Sequence, residues 1–95
     1  MGIQYDVLSA SNTTAATLVN GPTRLKGFVI ASTDNASSVT FRNGTTNTAP
    51  ALVTVYTPAN ATSVSALVPG DGVRFGTALF ADFDANVTAV TVFHG

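Results

Sequence analysis

The sequence predicts an all-β fold: a compact antiparallel β-sandwich or jelly-roll-like barrel with essentially no helix. Three observations carry this. Apolar residues alternate with a period of two over most of the chain. The alternation is interrupted about every 8–12 residues by Gly, Pro, Asn or Asp, the turn spacing of a small sandwich. Threonine, alanine and valine are the commonest residues, interleaved with one another, and glutamate is absent. Side chains branched at Cβ crowd a helix but pack well on a pleated surface.

Taken in order, strands are expected at 3–8 (IQYDVL), 15–19 (AATLV), 23–31 (TRLKGFVIA), 38–42 (SVTFR), 51–57 (ALVTVYT), 64–68 (VSALV), 73–75 (VRF), 78–82 (ALFAD) and 87–93 (VTAVTVF). Asn20-Gly21-Pro22 ends the second. Asn43-Gly44 ends the fourth and suits a tight turn, which TTNTAP (45–50) extends into a loop. Thr57-Pro58-Ala59-Asn60 closes the fifth. The 95 residues make one domain, with 1–22 read as an N-terminal strand or arm.

LVPGDGVRFG (67–76) is the stretch that most invites a chemical reading. Gly70-Asp71-Gly72 followed by Gly76 is one residue too long for a dinucleotide fingerprint, and it leads into a strand instead of a helix N-terminus. Pro69 fits the second position of a turn, Gly70 supplies a positive φ, Asp71 bonds its own backbone and Gly72 releases the chain into VRF. The stretch therefore reads as a structural turn.

A strict period of two gives some strands two apolar faces. In VTAVTVF, Val87, Ala89 and Phe93 share one face and Val90 and Val92 the other. In RLKGFVIA, Phe28 and Ile30 lie with Arg24 and Lys26, opposite Leu25 and Val29. One small domain has one core. The surplus faces, Val90, Val92, Phe28 and Ile30, are therefore expected at an oligomer interface. The alternative is that inner strands of a curved sandwich are covered within one chain.

Composition narrows the function. The basic residues are Arg24, Lys26, Arg42 and Arg74, and the acidic ones Asp6, Asp34, Asp71, Asp82 and Asp84, for a net charge of −1. Four scattered cations give no footprint for nucleic acid. No cysteine is present, which excludes thiol catalysis, thiolate metal sites and disulfides. MGIQYDVLSA lacks the basic start and apolar run of a signal peptide, and the sixth residue is Asp where a myristoylation signal has Ser or Thr. No apolar run reaches the ~20 residues of a membrane span. The chain is expected to be made in a cytoplasm, not secreted, with no membrane partner. The five Asn-X-Ser/Thr sequons, at Asn12, Asn35, Asn43, Asn60 and Asn86, are then a by-product of composition.

Candidate chemistry is scarce. DFDAN (82–86) begins like a calcium loop, but the sixth position is Val87 and the twelfth Phe93, where such a loop needs Gly and Glu. Asp82 and Asp84 are expected to cap a solvated turn, with Phe83 turned inward; a weak calcium site is the alternative. His94 is the one histidine, so no zinc set can be completed, and no nucleophile–base pair is evident. The expectation is a non-enzyme without cofactor or metal.

RLKGFVIAS (24–32), SSVTFRNG (37–44), LVPGDGVRFGTALFA (67–81) and VTAVTVFHG (87–95) together resemble the small, all-β virion structural proteins of tailed bacteriophages, including those infecting cyanobacteria. The resemblance covers residues 24 to 95. It implies a capsid decoration (cement) protein of the virion, or a small fibre or tail component, usually homo-oligomeric; the expected state is a homotrimer clamped onto the phage major capsid protein. It carries over no catalytic residue. The alternative it leaves is a fibre or tail-tip module that binds a carbohydrate or receptor.

Overall fold

The computed structural model describes residues 8–33, 35–59, 63–68 and 72–95. Nine strands form two antiparallel sheets, and no helix occurs among these residues. The strands are β1 (Leu8–Asn12), β2 (Ala16–Val19), β3 (Thr23–Ser32), β4 (Ser37–Asn43), β5 (Ala51–Thr57), β6 (Ser63–Leu67), β7 (Val73–Phe75), β8 (Leu79–Asp82) and β9 (Val87–His94). One sheet runs β1-β9-β3-β6, with β7 also paired to β3; the other runs β2-β8-β4-β5. The antiparallel sandwich is the expected fold. β1 and β2 pair with β9 and β8, so residues 8–19 supply one edge strand to each sheet and are no detached arm. The first expected strand, 3–8, lies almost entirely outside the described residues. The strand that is seen there, LSASN, is small and polar and carries little alternation to read.

The core lies between the sheets. Leu25, Phe28, Ile30, Phe75, Val87, Val90 and Val92 from one sheet meet Val39, Phe41, Leu79 and Ala81 from the other. The Phe28 and Phe41 rings bridge the layers with centroids 5.9 Å apart.

This overturns the expected interface. Val90, Val92 and Ile30 are fully buried within the single chain and Phe28 nearly so. They are core residues and are not free to meet a partner. The cause is a pair of β-bulges. On β3, Leu25 pairs with His94 and Gly27 with Phe93, so Lys26 is an extra residue. On β9, Ala31 of β3 pairs with Ala89 and Ser32 with Val87, so Thr88 is extra. Each bulge shifts the alternation by one. Leu25 thereby joins Phe28 and Ile30 on the inner face, and Val87 joins Val90 and Val92. Two strands whose large apolar residues look divided between two faces turn most of them to the core.

Inward-facing polar groups close the ends of the core. His94 Nδ1 lies 3.1 Å from Thr23 Oγ1, and both residues are buried. Burial lowers the His94 pKa below its ordinary value of 6.5. The unfolded chain then binds more protons than the folded one just below pH 6.5. The stabilisation is complete above that pH and is lost as pH falls through the lowered value. Melting temperature should be level from pH 7.5 to 7 and fall between 6.5 and 5. His94→Gln, which can still hydrogen-bond the Thr23 hydroxyl but does not titrate, should flatten that fall.

Thr57 ends β5 almost fully buried, with no partner for Oγ1. Replacing it by the isosteric valine removes an unsatisfied hydroxyl. Thr57→Val should raise stability by about 1 kcal/mol, measured by urea unfolding.

Candidate functional site

Of the turn residues, Pro69, Gly70 and Asp71 lie outside the described residues. Gly72 does not, and it holds φ +86°. A Cβ there would sit 2.5 Å from the Leu25 carbonyl oxygen. β7 then pairs with β3 through Thr23–Phe75, Arg24–Arg74 and Leu25–Val73. Gly72 thus lets the chain pass tightly over β3 and enter β7 in register.

Asp82 and Asp84, two positions apart in sequence, do separate work. Asp82 accepts from Arg42 Nε at 3.0 Å, on the outer face of the β2-β8-β4-β5 sheet. Arg42 also donates to the Ala49 carbonyl at 3.0 Å, which ties the 44–50 loop to that face. Asp84 Oδ1 accepts from the Asn86 backbone N–H and the Ser37 hydroxyl, both at 2.9 Å. Asp84 therefore caps the β8–β9 turn as expected, whereas Asp82 does not. Phe83 packs against the core, half-buried. No group of three or more His, Cys, Asp or Glu side chains that could hold a metal ion occurs among the described residues.

The feature that sequence reasoning missed is the outer face of the β1-β9-β3-β6 sheet. Cross-strand partners place Ser9, Phe93, Gly27 and Leu67 in one row and Ser11, Thr91, Val29 and Ser65 in the next. Ala89, Ala31 and Ser63 form a third. None of these side chains is charged. Gly27 has no side chain, so Leu67 and Phe93 approach each other over it: a Cβ at Gly27 would meet Leu67 Cδ2 at 3.1 Å and Phe93 Cδ2 at 3.5 Å. Leu67 is nevertheless 83 % exposed, and Val29 40 %. The result is an apolar ridge among neutral, hydroxyl-rich rows. The signal was present in the Ser/Ala/Thr positions opposite the core residues, but only the bulges reveal which residues share that face.

A second uncharged surface is β5. Among the described residues it is an edge strand, bonded to β4 alone. ALVTVYT carries no charge and no proline, and Tyr56 and Leu52 are 76 % and 44 % exposed. Such an edge is a ready template for pairing with another chain.

At one end of the sandwich a cleft of about 390 Å³ opens between the β1–β2 turn and the β8–β9 turn. Phe83 and Val87 give it an apolar floor, and Thr13, Thr14, Asp84 and Thr88 give it polar walls. Asn12 Oδ1 accepts the backbone N–H of Thr13 at 2.8 Å and of Thr14 at 3.3 Å, which shapes the first turn.

Compared with known protein families, with curated proteins and with solved structures, the chain gave no match.

Proposed function

We propose that the chain is a non-enzymatic structural protein of a phage virion, in the capsid decoration class, acting as a homo-oligomer with three subunits as the expected state. The observation that carries this reading is the outer face of the β1-β9-β3-β6 sheet, uncharged across the three rows described, with exposed Leu67 and Val29 beside half-buried Phe93. Proteins rarely leave an apolar ridge on a neutral surface without a use for it. The phage-type motifs supply the context: RLKGFVIAS and VTAVTVFHG are the two central strands of that sheet. The broad face meets the shell protein. Self-association uses the neutral edge strand β5, because the four residues first expected at the interface are core. Contacts made only by the assembled state stabilise the shell by mass action.

The experiment is to quantify this chain in purified particles of the phage that codes for it. Hundreds of copies per particle support decoration. Absence from the particle would overturn it. Light scattering on the purified chain reads the oligomer: a stable single-subunit mass at micromolar concentration would remove the oligomeric part of the proposal.

The end cleft favours one second reading, a carbohydrate-binding module. A sugar ring presents an apolar C–H face and a polar rim, and the cleft offers Phe83 below with Asp84 and three threonines around it. Glycan-array binding that is lost in Asp84→Asn, together with a copy number of tens or fewer, would favour this over decoration.

A further inference from the structure

Two Asn-Gly pairs sit at strand ends, Asn20-Gly21 after β2 and Asn43-Gly44 at the end of β4. An asparagine followed by glycine can react with its own backbone, because no side chain screens the glycine nitrogen from the carboxamide. The fold treats the two pairs differently. Asn43 is held on both its backbone and its side chain. Its N–H donates to the Pro50 carbonyl at 2.8 Å, and its Oδ1 accepts from the Thr77 N–H at 2.8 Å. The Gly44 nitrogen, which would have to attack, donates to the Ala78 carbonyl at 3.2 Å. Gly44 is buried, and a Cβ on it would sit 2.5 Å from that of Ala49.

Asn20 has none of these restraints. It is exposed, and it lies just beyond the last β2–β8 pair, Val19–Leu79. Among the described residues neither its carboxamide nor the Gly21 N–H makes a hydrogen bond. The space around half-buried Gly21 is open: a Cβ there would meet nothing within 4 Å.

We propose that Asn20 is a site of self-modification, at which the Gly21 nitrogen displaces ammonia and the side chain becomes aspartate or isoaspartate. Hydroxide removes the Gly21 amide proton, and the nitrogen attacks Asn20 Cγ. The new N–Cγ bond closes a five-membered succinimide. The bond from Cγ to the carboxamide nitrogen breaks, and that nitrogen leaves as ammonia with a proton from water, which restores the hydroxide. Water then opens the ring. Opening at Cγ gives aspartate; opening at the backbone carbonyl gives isoaspartate, in which the main chain runs through Cβ and Cγ. Either product adds a negative charge at the turn that carries the chain from one sheet to the other. The reaction needs only water and time, so the fraction converted records the age of the folded chain, whatever the chain docks against.

The test is incubation of the purified full chain at mildly alkaline pH, folded and in denaturing urea, followed by mass spectrometry of tryptic peptides. Cleavage after Arg24 and Arg42 puts the two pairs on different peptides. In the folded chain Asn43 reacts only when the end of β4 opens, so Asn20 should convert at least about tenfold faster. In urea the two should convert at similar rates. The folded-state rate at Asn20 should rise with pH. Isoelectric focusing should show the folded wild type turning acidic with age and Asn20→Gln, whose longer side chain closes the ring poorly, holding its position. Equal rates at Asn20 and Asn43 in the folded chain overturn the proposal. So does an Asn20 that converts in urea but keeps its amide in the folded chain.

Discussion

Val92→Asp will leave the chain unfolded, while Tyr56→Asp will leave it folded but block the self-association proposed for β5. Val92 is fully buried on β9, opposite Phe28 of β3 and Ala10 of β1. A carboxylate there has no cation and no hydrogen-bond donor aimed at it, so it must stay charged in an apolar core or take up a proton. Either way the cost is at least about 4–5 kcal/mol. That is comparable with the whole stability of a domain this size, roughly 5–14 kcal/mol. Circular dichroism should show loss of the β signal, and the protein should be insoluble or rapidly digested. Tyr56 projects from the edge strand into solvent, so an aspartate there disturbs little of the fold. It does put charge on an edge that is otherwise neutral, which is how natural sheets block edge pairing. Its melting temperature should stay within a few degrees of wild type while light scattering reports single subunits. A soluble, folded and merely dissociated Val92→Asp chain would contradict the core described above.

Gly72→Ala should lower stability by about 3 kcal/mol. Two effects add. The φ of +86° lies where an L side chain is strained, and the new methyl would sit 2.5 Å from the Leu25 carbonyl oxygen. That oxygen belongs to β3, at the strand's pairing with β7 and close to its bulge, so it has little freedom to retreat. For a domain of this length the change corresponds to a fall in melting temperature of roughly 12–24 °C. Gly76→Ala is the control. A Cβ at Gly76 meets nothing within 4 Å, and the substitution should move the melting temperature by only a few degrees. Equal effects from the two would show that the β6–β7 connection adapts to the extra methyl.

Strand positions were largely legible in the sequence because alternation and turn residues are local signals. ALVTVYT and VRF occupy the expected positions, and Asp84 caps its turn as its place in DFDAN suggests. Facing was not legible. Lys26 and Thr88 look like ordinary members of their strands, and nothing about a lysine or a threonine announces an extra residue in a ladder. Bulges are set by pairing with a distant strand, here between β3 and β9, which one strand's own sequence does not contain. Every face assigned beyond the bulge was therefore inverted, and the interface was placed in the core. The role of Asp82 was missed for a related reason. Its partner Arg42 is remote in sequence and reaches it, diagonally across the ladder, only when β4 pairs with β8. The neutral outer face depends likewise on knowing which strands are neighbours.

The placement of β9 between β1 and β3 has a consequence for how the chain is made. A ribosome delivers β3 early and β9 last of the nine strands. Until β9 emerges, Phe28 and Ile30 have no central neighbour, and β1 has no sheet to join. Until then β3 is paired with β6 and β7 alone, so the sheet closes only once β9 has been synthesised, instead of keeping pace with the strands before it. Such a protein should depend on holding chaperones during bursts of expression. It should also fail abruptly when translation stops short of Val90, even though every earlier strand is already present.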